Sequence, residues 1–127
     1  MSTIQESGEN YLETILQLSQ DGKRVRAVDV ATELNFSRPS VSNAMKKLRH
    51  EGYITLDDEG FIVLTARGKE IAETLYERHL LISSWLISLG VEKKVALADA
   101  CKMEHAMSSQ SFEAIKGCIS RMQQGEI

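Results

Sequence analysis

A chain of 127 residues, 43% of them apolar, has room for one or two small domains with a modest core. Its net charge of −3 excludes a general polyanion binder, and the lack of any run of about 18 apolar residues excludes a membrane-spanning helix. The opening Met1-Ser2-Thr3-Ile4-Gln5-Glu6 has neither the basic region nor the apolar core of an export signal, so the expected location is cytoplasmic. There, a structural disulfide between Cys101 and Cys118 is not expected.

In chain order, Tyr11, Leu12, Ile15, Leu16 and Leu18 recur at helical spacing and predict a helix over residues 7–19, stopped by Gln20-Asp21-Gly22. Val28, Val30, Ala31 and Leu34 predict a short second helix over 27–34. After Asn35-Phe36-Ser37, a third helix opens at Arg38-Pro39, where the missing proline N–H costs nothing, with Val41, Ala44, Met45 and Leu48 on its apolar face. Gly52 ends it. Residues 53–56 and 61–64, rich in β-branched and aromatic side chains, flank Asp57-Asp58-Glu59-Gly60 and read as a hairpin. A long helix over 65–89 follows, with Ile71, Leu75, Ile82, Leu86 and Leu89 expected to face inward, and Gly90 stops it. Helices over 93–107 and 109–123 complete the chain, the last with Phe112, Ile115, Ile119 and Met122 at spacings of three and four. Cys118 is expected to pack in the core of that helix, and Trp85 and the methionines to serve packing or a dimer interface. Apolar stripes in excess of what so small a core can cover predict a homodimer.

Helix, helix, turn, helix, hairpin is the winged helix-turn-helix plan. The charge distribution agrees with it. Residues 21–52 carry seven basic and four acidic side chains, a local +3 that leaves −6 for the remainder. The third helix has no acid between Arg38 and His50, and its opening Ser37-Arg38-Pro39-Ser40 offers hydroxyls and free N–H groups to phosphate. Ser37, Arg38, Pro39, Ser40, Ser42, Asn43, Lys46 and Lys47 are therefore the expected contacts to double-stranded DNA, Asn43 being able to read an adenine edge. The acidic turn at Asp57-Asp58-Glu59 stands against deep placement of the wing on the phosphate backbone.

Cys101-Lys102-Met103-Glu104-His105 sets a thiol, a carboxylate and an imidazole at i, i+3 and i+4, one face of a helix and a ligand set for a first-row metal. One turn cannot fill a coordination shell, and Glu13, His79 and Asn10 are candidates for the rest. The same spacing also suits a buried, inert Cys101 beside two solvated helix residues, because no Cys-x-x-Cys or His-Glu-x-x-His pattern fixes a geometry.

The chain resembles the diphtheria toxin repressor family of metal-dependent transcriptional regulators. The likeness runs from Gly8-Glu9-Asn10-Tyr11-Leu12-Glu13 through Ser37-Arg38-Pro39-Ser40-Val41-Ser42, Leu64-Thr65-Ala66-Arg67-Gly68 and Arg78-His79-Leu80-Leu81 to Cys101-Lys102-Met103-Glu104-His105-Ala106-Met107-Ser108. It implies a mostly α fold: a winged helix-turn-helix domain over residues 1–66 and a helical metal-binding and dimerisation domain over 67–127. The barrel-like third domain of many iron-branch members is not expected in a chain of this length. Cys101, Glu104 and His105 match the principal site of the iron branch, which has methionine at the place of Asn10. The manganese branch shares a glutamate at Glu13 and a histidine at His79, but has aspartate at Asn10 and glutamate at Cys101, so this chain is a hybrid. The iron branch's second site uses a carboxylate at the place of Ser83 and a histidine at that of Leu97, which puts an ancillary site of that form in doubt.

The expected function is a metal-activated, homodimeric repressor of metal-homeostasis genes that binds palindromic operator DNA and answers to Fe(II) in preference to Mn(II), since thiolate and imidazole favour iron. It is not expected to be an enzyme, having no nucleophile-elbow or phosphate-loop motif. The alternative is a metal-independent winged-helix regulator that senses a small molecule or a redox change through Cys101.

Overall fold

The computed structural model describes residues 5–125; residues 1–4, on which the expectation of no export signal largely rests, and 126–127 lie outside it. The described residues form α1 (Glu6–Leu18), a 3-10 turn at Gln20–Gly22, α2 (Ala27–Leu34), α3 (Arg38–His50), β1 (Ile54–Leu56), β2 (Ile62–Leu64), α4 (Ala66–Ser88), α5 (Lys93–Ala106) and α6 (Ser109–Gln123). They group into two compact units, Met1–Thr74 and Leu75–Ile127, so that α4 contributes to both.

In the first unit each helix ends for a local reason. Glu6 and Glu9 occupy the first turn of α1, where carboxylates offset the positive end of the helix dipole. Asp29 Oδ2 accepts from the Arg26 N–H at 2.8 Å and opens α2. Asn35, at φ 57°, closes it in the left-handed conformation that asparagine tolerates. Ser37 Oγ accepts from the Ser40 N–H and caps α3, with Pro39 in the first turn. Gly52, at φ 87°, turns the chain from α3 into the hairpin. β1 and β2 pair antiparallel with Ile54 opposite Leu64 and Leu56 opposite Ile62, and Val25 adds a bridge to Ile62. Leu12 and Ile15 of α1, Val30 of α2, Val41 and Leu48 of α3 and the hairpin residues Tyr53 and Ile54 close one core.

In the second unit Leu75 and Ile82 of α4, Ala96 and Ala100 of α5, and Phe112 and Ile119 of α6 are buried. Two sequence expectations, at Leu89 and at Cys118, need correction. Leu89 is 57% exposed, since α4 ends at Ser88 and Gly90 turns the chain directly after it. Met122 is 40% exposed on the last turn of α6, and Cys118 is only half-buried. Leu80, Ile87, Val95 and Leu97 also stand exposed, so the helical unit carries more apolar surface than its own core covers.

Candidate metal centre and nucleic-acid interface

The last turns of α5 bring Cys101, Glu104 and His105 onto one face, with Sγ, a carboxylate oxygen and a ring nitrogen all within 4.8 Å of one another. The Glu104 side chain is fully buried and that of His105 is 2% exposed. His105 Nε2 lies 3.5 Å from Glu104 Oε1. From α4, His79 Nδ1 lies 3.1 Å from Glu104 Oε2. Glu104 is thus set between two imidazoles. Among the described residues no hydrogen-bond donor serves its Oε1. A buried carboxylate costs several kcal/mol unless its charge is balanced, and an oxygen without a donor, beside a thiol and imidazole nitrogen, is a donor set that fits a divalent first-row metal. The Ser83 hydroxyl donates to the His79 carbonyl at 2.7 Å.

The other two expected ligands lie on α1 in the first unit. Glu13 is buried and accepts from Gln17 Nε2 at 3.3 Å, and Asn10 is half-buried.

On α3, burial of Val41, Met45 and Leu48 turns the opposite face outward, and Ser37, Arg38, Pro39, Ser40, Ser42, Asn43, Lys46 and Lys47 are all exposed. The Ser37 hydroxyl donates to Ser40 Oγ at 2.8 Å while accepting from the Ser40 N–H, so capping already occupies part of this pair's hydrogen-bonding capacity. Between α3 and the hairpin lies a cleft of about 200 Å³ whose lining includes Ser42, Lys46 and Arg49.

Residues 3–61 match the N-terminal DNA-binding domain of the iron-dependent repressors, and residues 65–124 match their metal-binding and dimerisation domain. The chain belongs to the iron-dependent repressor family. It is 34% identical to an uncharacterized HTH-type transcriptional regulator of Methanocaldococcus jannaschii over 89% of this chain and 92% of the relative. It is 33% identical to the transcriptional regulator MntR of Escherichia coli O6:H1 over 85% of this chain and 70% of the relative. Among solved structures, the manganese regulator SloR superposes with a TM-score of 0.79 at 28% identity, covering 89% of this chain. The match spans 53% of SloR, about half of that longer protein. Family membership makes the winged helix-turn-helix reading of the first unit, and the metal-dependent regulator reading of the whole, statements about this chain.

Two arrangements escaped sequence reasoning. The acidic turn does not stand as an unbalanced charge: Arg24 Nη2 reaches Asp57 Oδ2 at 2.6 Å, and Arg24 Nη1 reaches Glu59 Oε1 at 3.3 Å. The Phe61 N–H foremost, then Arg24 and the Glu59 N–H, hold the Asp57 carboxyl below its ordinary range, and Asp57 in turn raises Arg24. Arg24 and Arg26 both sit over the Phe61 ring, at 3.9 and 4.1 Å from its centroid. The objection that this turn repels phosphate therefore weakens for Asp57 and Glu59 and persists for Asp58. The only hint in the sequence was the basic pair Arg24-x-Arg26, and no periodicity aims it at a turn thirty residues on. The second is Arg78, which is 7% exposed and hydrogen-bonded to the end of α5.

With α3 as the recognition helix, Lys46→Ala or Lys47→Ala should weaken binding to every DNA sequence and lower the slope of log K against log salt by about 0.9 for each phosphate left unneutralised. Asn43→Ala should instead relax base preference at one position, by about 1 to 3 kcal/mol. Salt titrations on specific and random duplexes separate the two effects.

Proposed function

We propose that this protein is a metal-activated transcriptional repressor, acting as a homodimer on palindromic operator DNA to control metal-homeostasis genes. The observation that carries the reading is the buried Glu104 carboxylate between His79 and His105, with one oxygen lacking a donor and the Cys101 thiol in the same cluster. His79, Cys101, Glu104 and His105 would hold the ion, and we assign Asn10 and Glu13 of α1 to the same shell on the family resemblance. When bound, the ion supplies the positive charge that balances the buried carboxylate and a thiolate.

Ligands drawn from a DNA-binding unit and a dimerisation unit would make the placement of α3 depend on occupancy. A palindrome presents half-sites about 34 to 36 Å apart, so two recognition helices engage together only at one spacing. The linkage is reciprocal: a coupling of about 1 to 3 kcal/mol means that operator DNA tightens metal binding by the factor by which metal tightens DNA binding. DNA-binding titrations with and without chelator test the reading, and chelator-independent binding would favour a metal-independent regulator.

Fe(II) is the proposed signal over Mn(II), on the strength of the Cys101 sulfur, since thiolate and imidazole favour the later metal. MntR and SloR, the latter named for manganese, make Mn(II) the proper competitor. Cys101→Glu should move preference toward Mn(II) while keeping metal-dependent DNA binding, and Cys101→Ala should weaken the response to both ions. Anaerobic binding curves with each ion give the answer. An unaltered response in Cys101→Ala would make Cys101 a packing residue.

A further inference from the structure

We propose that Arg78 is a positioning residue for the metal centre: it fixes the last turn of α5, and with it Glu104 and His105, against α4. The inference rests on the metal reading above.

The last four carbonyls of an α-helix have no partner within it. Those of α5 include the Glu104 carbonyl, and the Glu104 side chain belongs to the buried cluster. Arg78 Nη1 donates to the Glu104 carbonyl at 2.9 Å and to that of Met107, the residue that ends the helix, at 2.8 Å. Arg78 Nη2 lies 3.5 Å from Ser109 Oγ in the first turn of α6, and the guanidinium carbon is 5.2 Å from the centre of the Phe112 ring. One planar cation thus braces the end of α5 and the start of α6. The residue after it on α4 is His79, which meets the Glu104 carboxylate at 3.1 Å. Glu104 is held through its backbone by Arg78 and through its side chain by His79.

Stability alone does not account for a guanidinium here. The Arg78 Nε–H is buried and finds no acceptor among the described residues, a cost that an apolar side chain of similar volume would not carry. What the guanidinium adds is a planar, fixed Nη1 whose two N–H groups serve the two carbonyls at once. A lysine ammonium, a point charge on a flexible stem, does not reproduce that geometry. Ligand helices held in this way keep their donors in register, and removal of such an outer hydrogen bond typically weakens metal binding by about 10- to 100-fold.

The test is an anaerobic titration of the full chain with Co(II), whose ligand-field bands report coordination geometry and whose sulfur charge-transfer band reports the Cys101 thiolate. Arg78→Lys should remain folded by circular dichroism, bind Co(II) about tenfold more weakly than the parent and show shifted ligand-field bands. Parental affinity and spectrum in Arg78→Lys would overturn the proposal. Should Arg78→Lys fail to fold, Arg78→Gln, whose amide nitrogen falls two bonds short of the place of Nη1, is expected to show the same weakening. If neither variant folds, Arg78 carries the fold and not the site, and the proposal is wrong. Glu104→Gln separates this from failure of the metal reading: if it binds Co(II) like the parent, that reading fails and the role of Arg78 falls with it.

Discussion

Glu104→Gln is expected to abolish the metal response of DNA binding while leaving the metal-free protein folded and dimeric. The replacement keeps the volume of a fully buried side chain and removes its charge. In the metal-free protein the carboxylate has one oxygen without a donor among the described residues and lies beside two imidazoles. Exchanging it for a neutral amide removes a desolvation cost, so the melting temperature without metal should stay level or rise. With metal the sign reverses: an amide oxygen is a weak ligand, and affinity should fall by at least the roughly 100-fold that outer-shell changes can reach. Two measurements on one variant therefore separate the roles. A metal-free melting temperature that drops as it would for a truncated core residue, together with an intact metal response, would make Glu104 a structural group. Sedimentation under chelator adds a control, because burying the exposed Leu80, Ile87, Val95 and Leu97 against a second copy would need no ion. A monomer would show that metal assembles the dimer instead of orienting it.

Elements with strong local signals were legible in the sequence. Apolar spacing and end signals located the six α-helices of the described residues to within a residue or two, because Asn35, Ser37-Arg38-Pro39, Gly52 and Gly90 punctuate the backbone where the structure turns. The exposed face of α3 was legible for the same reason: with Val41, Met45 and Leu48 buried, the helical repeat leaves Ser42, Asn43, Lys46 and Lys47 outside. The i, i+3, i+4 spacing likewise placed Cys101, Glu104 and His105 together, and the meeting of His79 with Glu104 came from family resemblance, since no local rule links α4 to α5. Where tertiary contact decides, the reading stopped. Periodicity carried Leu89 inward, yet the helix ends before it and it stands exposed. The acids of the wing turn were read as bare charge, because their partner Arg24 lies some thirty residues earlier and reaches them only once Val25 has bridged to Ile62. Arg78 carried no signal of its own beyond its place in the family-like Arg78-His79-Leu80-Leu81 stretch, since the carbonyls it serves appear only when α5 has ended.

Gly68→Ala should be among the most destabilising single-methyl additions in the chain, although glycine to alanine within a helix ordinarily stabilises by up to about 1 kcal/mol. Gly68 lies in the first turn of α4, and a Cβ there would collide with the backbone carbonyl of Tyr53. That carbonyl cannot retreat. It accepts from the Thr65 N–H at 3.1 Å, and Thr65 Oγ1, whose one proton is shared between this carbonyl at 3.1 Å and that of Gly52 at 2.8 Å, accepts from the Gly68 N–H at 3.2 Å. Tyr53 is itself fully buried, its hydroxyl accepts from Arg67 Nη2 at 3.0 Å, and its ring lies under the Arg67 guanidinium at 4.3 Å. Making room for the methyl therefore means separating the start of α4 from Tyr53, just ahead of β1, and breaking two or three of these bonds together, at a cost of about 3 kcal/mol or more. Gly117→Ala provides the contrast. It lies within α6, where an added Cβ meets nothing nearer than the flexible end of Arg121 at 3.8 Å, so the helix-propensity gain should appear undiminished. Urea unfolding followed by circular dichroism should move in opposite directions for the two variants. A Gly68→Ala protein as stable as the parent would mean that the close approach of α4 to Tyr53 is not what the Leu64-Thr65-Ala66-Arg67-Gly68 segment is built to make.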